Sequence, residues 1–189
     1  RILDQDADWR LAYADDAALI YVRKSGASGW LVANLPKRQV CPNELWPDTL
    51  DPVLAQPARR ARVIEELDRW IVQAPESIQP LLWKAYALDR ANLPQKAEHL
   101  LQLARTRMAR NPDPELKALL GFVLDQRGQG EAGRRQYYHA LVLARRLHDR
   151  ALQAAVIQRL SEVYGRAGHA ARAARLEAAA RRLAVPIAE

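Results

Sequence analysis

Three stretches of this chain carry small residues at matching offsets, and that pattern decides most of what it can fold into. They are PLLWKAYALDRANLPQKAEHLLQLA (Pro80 to Ala104), ELKALLGFVLDQRGQGEAGRRQYYHALVLA (Glu115 to Ala144) and AAVIQRLSEVYGRAGHAARAARLEAAARRLA (Ala154 to Ala184). Each holds a small residue, Ala85, Gly121 or Ser161, followed three positions later by a bulky one, Leu88, Leu124 or Tyr164. A break comes next: RANLP, RGQGE, RAGHA. A second small residue stands twelve positions after the first (Ala97, Gly133, Ala173) and a third seven beyond that (Ala104, Ala140, Ala180). Apolar positions recur at three and four among Ala, Leu, Arg, Gln and Glu, which are strong helix formers. The pattern predicts pairs of antiparallel helices. Their small residues permit close approach and their bulky ones fill the spaces between.

On these residues the segment resembles the tetratricopeptide repeat, a helix–turn–helix unit that stacks into a solenoid. The turn and both small positions of the second helix match in all three copies. Successive copies begin 36 and 40 residues apart, against about 34 in the family. The extra residues fall at RTRMARNPDP and RRLHDR, which predicts lengthened second helices. The family's Trp, Tyr and terminal Pro positions are only partly kept, and a generic antiparallel bundle remains the alternative. A helix over ARRARVIEELDRWIVQ (Ala58 to Gln73) would cap the first repeat, and VPIAE would end the array.

In a tetratricopeptide array the first helix of each pair lines a concave groove. The resemblance places Gln79, Leu82, Tyr86, Asp89 and Arg90 there from the first copy. Glu115, Ala118, Phe122, Asp125 and Gln126 follow from the second, and Gln158, Glu162 and Arg166 from the third. Tyr86 and Phe122 occupy equivalent positions, either as anchors for a partner segment or as packing between repeats. Some members clamp a C-terminal carboxylate with Lys, Asn and Arg. The corresponding positions here carry Gln, Tyr, Glu and Phe, so that clamp is not expected.

Ahead of the helical zone, DWRLAYADDAALIYVR (Asp8 to Arg23) alternates like a β-hairpin. Trp9, Leu11 and Tyr13 fall on one face, ADDA supplies turn chemistry, and a run rich in β-formers returns. WLVANL would add a third strand. ANLPKRQVCPNELWPDTLDPVLAQP, with five prolines and no steady period, reads as a long connecting segment. The expected division is a β-hairpin module over residues 1–35, a Pro-rich connector over 36–57 and helical repeats over 58–185. The fold class is mostly α: a three-repeat helical solenoid with a small N-terminal β element.

The opening stretch also resembles the segment that follows the last membrane helix in bacterial polytopic glycosyltransferases of the dolichyl-phosphate-mannose mannosyltransferase type. Such tails begin with a Trp, a short strand, a Tyr-x-Asp-Asp-like turn and a strand ending in Tyr-Val-Arg. Here those residues are Trp9, Tyr13, Asp15, Asp16, Tyr21, Val22 and Arg23. The resemblance implies the soluble C-terminal tail of a membrane enzyme, facing the extracytoplasmic (periplasmic) side and holding a partner protein or acceptor near it. The family's catalytic acid lies in membrane loops outside this chain, so no catalytic residue is carried over. A start on RILDQDADW, without Met or signal peptide, agrees with a piece of a longer protein. Membrane contact is expected only through an upstream segment. The other reading is a free-standing cytoplasmic scaffold of the same repeat type, unrelated to sugar transfer.

Composition narrows the remaining classes. The net charge of +7 invites a nucleic-acid reading. Residues 1–56, however, hold six Lys/Arg against eight Asp/Glu, and the basic excess beyond them is scattered singly around helices. No aromatic–basic strand motif accompanies it, so a nucleic-acid partner is not expected. No apolar run long enough to span a bilayer occurs. His99, His139, His148 and His169 lack metal-ligand spacing, so neither metal nor cofactor is expected. Cys41 has no partner cysteine and no sequence-placed base. DQDAD (Asp4 to Asp8) lacks the Gly and distal Glu of a calcium loop. Asp15 and Asp16 are adjacent and point to opposite faces of a strand, which favours a turn role over an acid pair. KSGASG matches no phosphate-cradle pattern. The function expected is non-catalytic protein–protein interaction, with a protein or peptide in the groove.

Overall fold

The computed structural model describes residues 3, 6–26, 32, 35, 40–42, 44–110 and 112–184. The chain forms two compact units, Arg1–Leu100 and Leu101–Glu189. It is mostly helical, with one two-stranded sheet among the described residues.

In the first unit, β1 (Trp9–Ala14) and β2 (Leu19–Arg23) pair antiparallel. The register runs from Trp9 opposite Arg23 to Ala14 opposite Leu19 and shifts between Leu11 and Tyr13. The extra residue, Ala12, breaks the simple alternation read from the sequence, since a bulge turns the following side chains to the other face. Most of the third strand foreseen over WLVANL lies outside the described residues, as do parts of DQDAD and KSGASG and all of VPIAE. Asp15 closes the hairpin: its Oδ1 accepts from the N–H groups of Ala17 (2.8 Å) and Ala18 (2.6 Å).

The connector is not featureless. It contains a 3-10 turn (Pro47–Leu50) running into the short helix α1 (Asp51–Leu54), and Leu50 and Leu54 are buried. Helix α2 (Pro57–Gln73) buries Val63, Glu66, Leu67 and Trp70, one stripe at helical spacing. Helix α3 (Gln79–Arg90) is buried on nearly every side, from Leu81 through Leu88 apart from Lys84. Glu66 accepts the Val40 N–H (3.3 Å), so α2 also holds the start of the connector. Helix α4 (Pro94–Met108) begins in this unit and continues into the next.

Two contacts seat the hairpin on these helices. The buried Trp70 indole donates to the Ala14 carbonyl (2.7 Å). The Asp16 carboxylate sits at the start of α3, accepting from Ser77 Oγ (2.5 Å), the Ile78 N–H (2.5 Å) and the Gln79 N–H (3.0 Å). A helix start leaves backbone N–H groups without partners, and an acidic acceptor there also suits the helix dipole.

The second unit holds α5 (Pro114–Gln126), α6 (Gly130–Arg146), α7 (Arg150–Arg166) and α8 (Ala170–Ala184). Helix α6 packs against both α5 and α7, α8 packs against α7, and α5 touches α7. Asp113 caps α5 through the Leu116 N–H (2.9 Å), and Asp149 caps α7 through the Leu152 N–H (2.9 Å). The position of α3 equivalent to Asp113 is Ser77, eight residues before the small residue. Its hydroxyl donates to Asp16.

One turn form recurs. After α3, α5, α6 and α7 the chain makes a three-residue turn whose middle residue is left-handed: Asn92 (φ 60°), Gly128 (77°), His148 (55°) and Gly168 (80°). The third N–H of each turn reaches back five residues, from Leu93 to Leu88, Gln129 to Leu124, Asp149 to Ala144 and His169 to Tyr164. This is the Schellman way of satisfying the last carbonyls of a helix.

The longer interval between the second and third pairs has a different source from the one expected. Ser161 is the twelfth residue of α7, whereas Gly121 is the eighth of α5. From the third small residue to the next helix start the interval is ten in both cases, Ala104 to Pro114 and Ala140 to Arg150. The four extra residues therefore form one added turn at the start of α7. Helix α6 does run longer than α4, 17 residues against 15, but the linker after it is shorter and cancels the difference.

The small residues do what their spacing demands. A Cβ built on Gly133 would stand 2.7 Å from the Gly121 carbonyl oxygen and 3.1 Å from the Asp125 nitrogen. One built on Gly121 would meet the Gly133 carbonyl at 3.0 Å. In the next pair Ser161 Oγ donates to the Ala173 carbonyl (2.9 Å) across the same crossing.

Two outcomes follow for unfolding in urea. Gly to Ala within a helix normally gains about 1 kcal/mol. Gly133→Ala is expected to lose about 1–2 kcal/mol instead, because the new methyl meets backbone and the crossing must open. Asp16→Ala is expected to lose about 2 kcal/mol, with about 1 kcal/mol for Asp149→Ala, since the first removes three acceptor contacts and the second one. Equal losses for the two aspartates would show that the hairpin contact adds nothing beyond an ordinary cap.

Candidate functional site

The groove residues predicted on α3 meet the chain's own connector. Leu82 is fully buried and Tyr86 is 1% exposed, so both belong to the core. The Tyr86 hydroxyl donates to Asp51 Oδ1 (2.5 Å) and receives bonds from Arg90 Nη2 (2.8 Å) and Nε (3.1 Å). Arg90 also donates to Asp51 Oδ2 (2.8 Å), and its guanidinium lies 5.1 Å from the Tyr86 ring centroid. Burial, and then the Asp51 carboxylate, hold the phenol above its ordinary pKa. Gln79 is half-buried and its Nε2 donates to the Pro42 carbonyl (2.9 Å). Asp89 is half-buried.

The predicted residues of the second unit form a charged network across α5 and α7. Phe122 is 1% exposed, with the Arg159 guanidinium 5.0 Å from its ring centroid. Ala118 is buried as well. Arg159 donates to Glu162 (3.1 Å), and Arg166 pairs with Asp125. The Asp125 side chain is largely withdrawn from water, and desolvation raises its pKa despite the opposing pull of Arg166. Glu115, Gln126, Gln158 and Arg166 are exposed, and Glu162 is half-buried. The structure thus brings Phe122, Asp125, Glu162 and Arg166 together, with Glu115, Gln126 and Gln158 as exposed positions on the same two helices.

Sequence reasoning did not include Asp51 and Arg159. Asp51 lay in the connector, where no periodicity marks a partner. Arg159 stands on the helix that carries Glu162, three positions earlier, and that i, i+3 spacing is the signal that would have found it. A further cluster was also missed. Tyr164 of α7 has Arg172 of α8 4.2 Å and Arg134 of α6 5.6 Å from its ring centroid. Its hydroxyl lies 3.0 Å from that of Tyr138, to which Arg172 also donates (2.9 Å).

The other sequence candidates take structural places. Asp15 accepts from the Tyr13 hydroxyl (2.9 Å) besides closing the turn. The backbone N–H bond from Ala17 leads the causes that lower its pKa. Asp6 accepts the Asp8 N–H (2.8 Å). Cys41 is half-buried. Among the described residues no group of three or more His, Cys, Asp or Glu side chains is placed to hold a metal ion, and no helix is long and apolar enough to cross a membrane.

No protein-family model matches the chain, and neither does any curated protein or solved structure.

The two aspartates with displaced pKa values give a test with opposite signs. In a carboxylate-resolved NMR titration Asp15 is expected to titrate below the ordinary 3.8 and Asp125 above it. Asp15 then contributes stability that is present above its unfolded pKa and lost as pH falls through the lower folded value. Asp125 does the reverse. Its ionisation disfavours the fold, and that cost is relieved as pH falls through its raised value. Titration of both at the ordinary value would mean that neither the hydrogen bonds of Asp15 nor the burial of Asp125 is kept in solution.

Proposed function

We propose that this chain is a non-catalytic protein-interaction module. In this reading three tetratricopeptide-like helix pairs form a short solenoid, and the β-hairpin seals its first helix. A partner protein or peptide is received on the first helices of the pairs. Support comes chiefly from one observation: the first helix of each pair ends in the same three-residue turn, with a left-handed residue at Asn92, Gly128 or Gly168. The second and third pairs also share a close small-residue contact, Gly121 with Gly133 and Ser161 with Ala173, and a capping aspartate, Asp113 or Asp149. Packing of α5 on α7, the first helices of adjacent pairs, is the neighbour relation that such an array requires.

Within this reading the partner surface lies on α5 and α7, around Glu115, Gln126, Gln158 and Arg166. The equivalent positions of α3 are engaged by Pro42 and Asp51 of the connector. The resemblance of the hairpin extends the proposal to the soluble tail of a membrane-bound glycosyltransferase on the extracytoplasmic side, holding an acceptor or partner close to the enzyme. Coding sequence for several membrane helices upstream of Arg1 would support the tail. A start codon close upstream would sink it and leave a free-standing scaffold.

The interaction itself is tested by photo-crosslinking in the source cells. A benzoylphenylalanine placed at Gln126 or at Gln158 is expected to capture the same partner, whereas one at the exposed Val142 of α6 is not. Capture from Val142 alone would overturn the assignment of the surface.

A further inference from the structure

The first unit contains an open groove of about 590 Å3 where α2, α3 and α4 meet, within the roughly 300–1,000 Å3 of typical ligand sites. Its floor is apolar: Ile64, Leu88, Leu93 and Leu100. Leu93 is 38% exposed, a large apolar side chain left open to water at the groove's edge. Lys96 and His99 stand on the rim, both exposed, and neither makes an ion pair among the described residues. The other charges lining the groove, Asp68 and Lys84, pair with each other.

The last helix pair, α7 and α8, shows another way in which the chain treats the same place. Counted from the small residues, Leu88 corresponds to Tyr164, Leu93 to His169 and Lys96 to Arg172. There the space holds an aromatic ring. Tyr164 is buried, Arg172 covers its face at 4.2 Å, and the His169 ring meets its edge at 6.0 Å. In the first unit the cation is kept as Lys96 and the ring is absent. A leucine leaves open the volume that a phenol would fill, and an apolar hollow under an unpaired cation attracts an aromatic face.

We propose that this groove receives an aromatic side chain from a partner peptide, with acidic residues beside it. The ring lies on Leu88 and Leu93 beneath Lys96, as the Tyr164 ring lies beneath Arg172. The flanking carboxylates meet Lys96 and His99, and this charge complementarity favours an acidic partner over a basic one. The site uses none of the residues of the α5–α7 face, so the crosslinking experiment and the one below can fail independently.

The test uses the full chain with labelled Ile, Leu and Val methyl groups and a blocked pentapeptide in which Tyr stands between pairs of Asp and Glu. Saturable shifts are expected at Ile64, Leu88, Leu93 and Leu100. Replacing the central Tyr of the peptide by Ala, or its acids by Lys, is expected to weaken binding at least about tenfold, a change of 1.4 kcal/mol. Leu88→Tyr fills the groove as the second unit does and is expected to cost a similar factor. Lys96→Glu, a surface change that leaves packing intact, is expected to cost about tenfold with methyl spectra otherwise unchanged. The proposal is overturned if the Ala-centred peptide binds equally well, or if Lys96→Glu binds undiminished. Phenylacetate binding to the same methyls as tightly as the peptide would also overturn it and mark a small-molecule site.

Discussion

The carboxylate of Asp16 joins the two kinds of structure in this chain. A helix start leaves its first N–H groups without partners in the helix, and they must find acceptors elsewhere. Helices α5 and α7 solve this locally, with Asp113 and Asp149 immediately before them. The N-cap residue of α3 is Ile78, whose side chain accepts nothing, and an acceptor arrives from the turn of the β-hairpin 60-odd residues earlier. The hairpin is thereby part of the helical unit. Two strands alone would be marginal in water. These gain a buried edge at Ala14, under the Trp70 indole, and a fixed tip at Asp16.

The second constraint is steric. At the crossing of α5 and α6 two glycines face each other so closely that neither admits a methyl without a shift. Close approach lets Tyr137 and Ala140 bury completely against α5, which is itself buried on nearly every side. The next pair reaches the same geometry with Ser161 and Ala173, and replaces part of the dispersion contact by a hydrogen bond to a carbonyl. Glycine is thus one solution among several, and at both of these positions it leaves no room for a methyl without a shift.

Much of this was legible because it is local. The helix periods, the breaks at RANLP, RGQGE and RAGHA, and the small residues at 121 and 133 each imply their structure from a few neighbouring positions. Three things were not legible, each for a physical reason. The added turn of α7 was assigned to the preceding helix, because a four-residue insertion keeps helical phase closely enough to fit on either side of a short turn. The bulge at Ala12 has no signature in a strand whose faces are both half-buried. The contact of Asp51 with Tyr86 and Arg90 joins residues 35 and 39 positions apart, and nothing in a connector's composition names its partner. For the candidate site, the resemblance placed Phe122, Asp125, Glu162 and Arg166 on facing helices. Their burial and the coupling through Arg159 needed the fold.

The two units also differ in how they use equivalent positions, and this bears on what each can bind. On α3 the tyrosine at 86 turns its hydroxyl to the chain's own Asp51, and Arg90 completes the pair. On α5 the equivalent Phe122 has no hydroxyl to offer, and a guanidinium from the neighbouring helix lies over it instead. A phenol buried beside a carboxylate ties the connector down, while a phenyl ring under an arginine ties one helix pair to the next. Across the other side of the pairs the logic reverses. There the second unit closes its hollow with Tyr164, and the first, with Leu88, leaves its hollow open to solvent. Where one unit satisfies an aromatic–cation pair within itself and the other retains only the cation and the hollow, recognition of an outside ring requires no rearrangement of the helices. It requires only an aromatic side chain such as Tyr164 supplies in the second unit, where the first unit has Leu88.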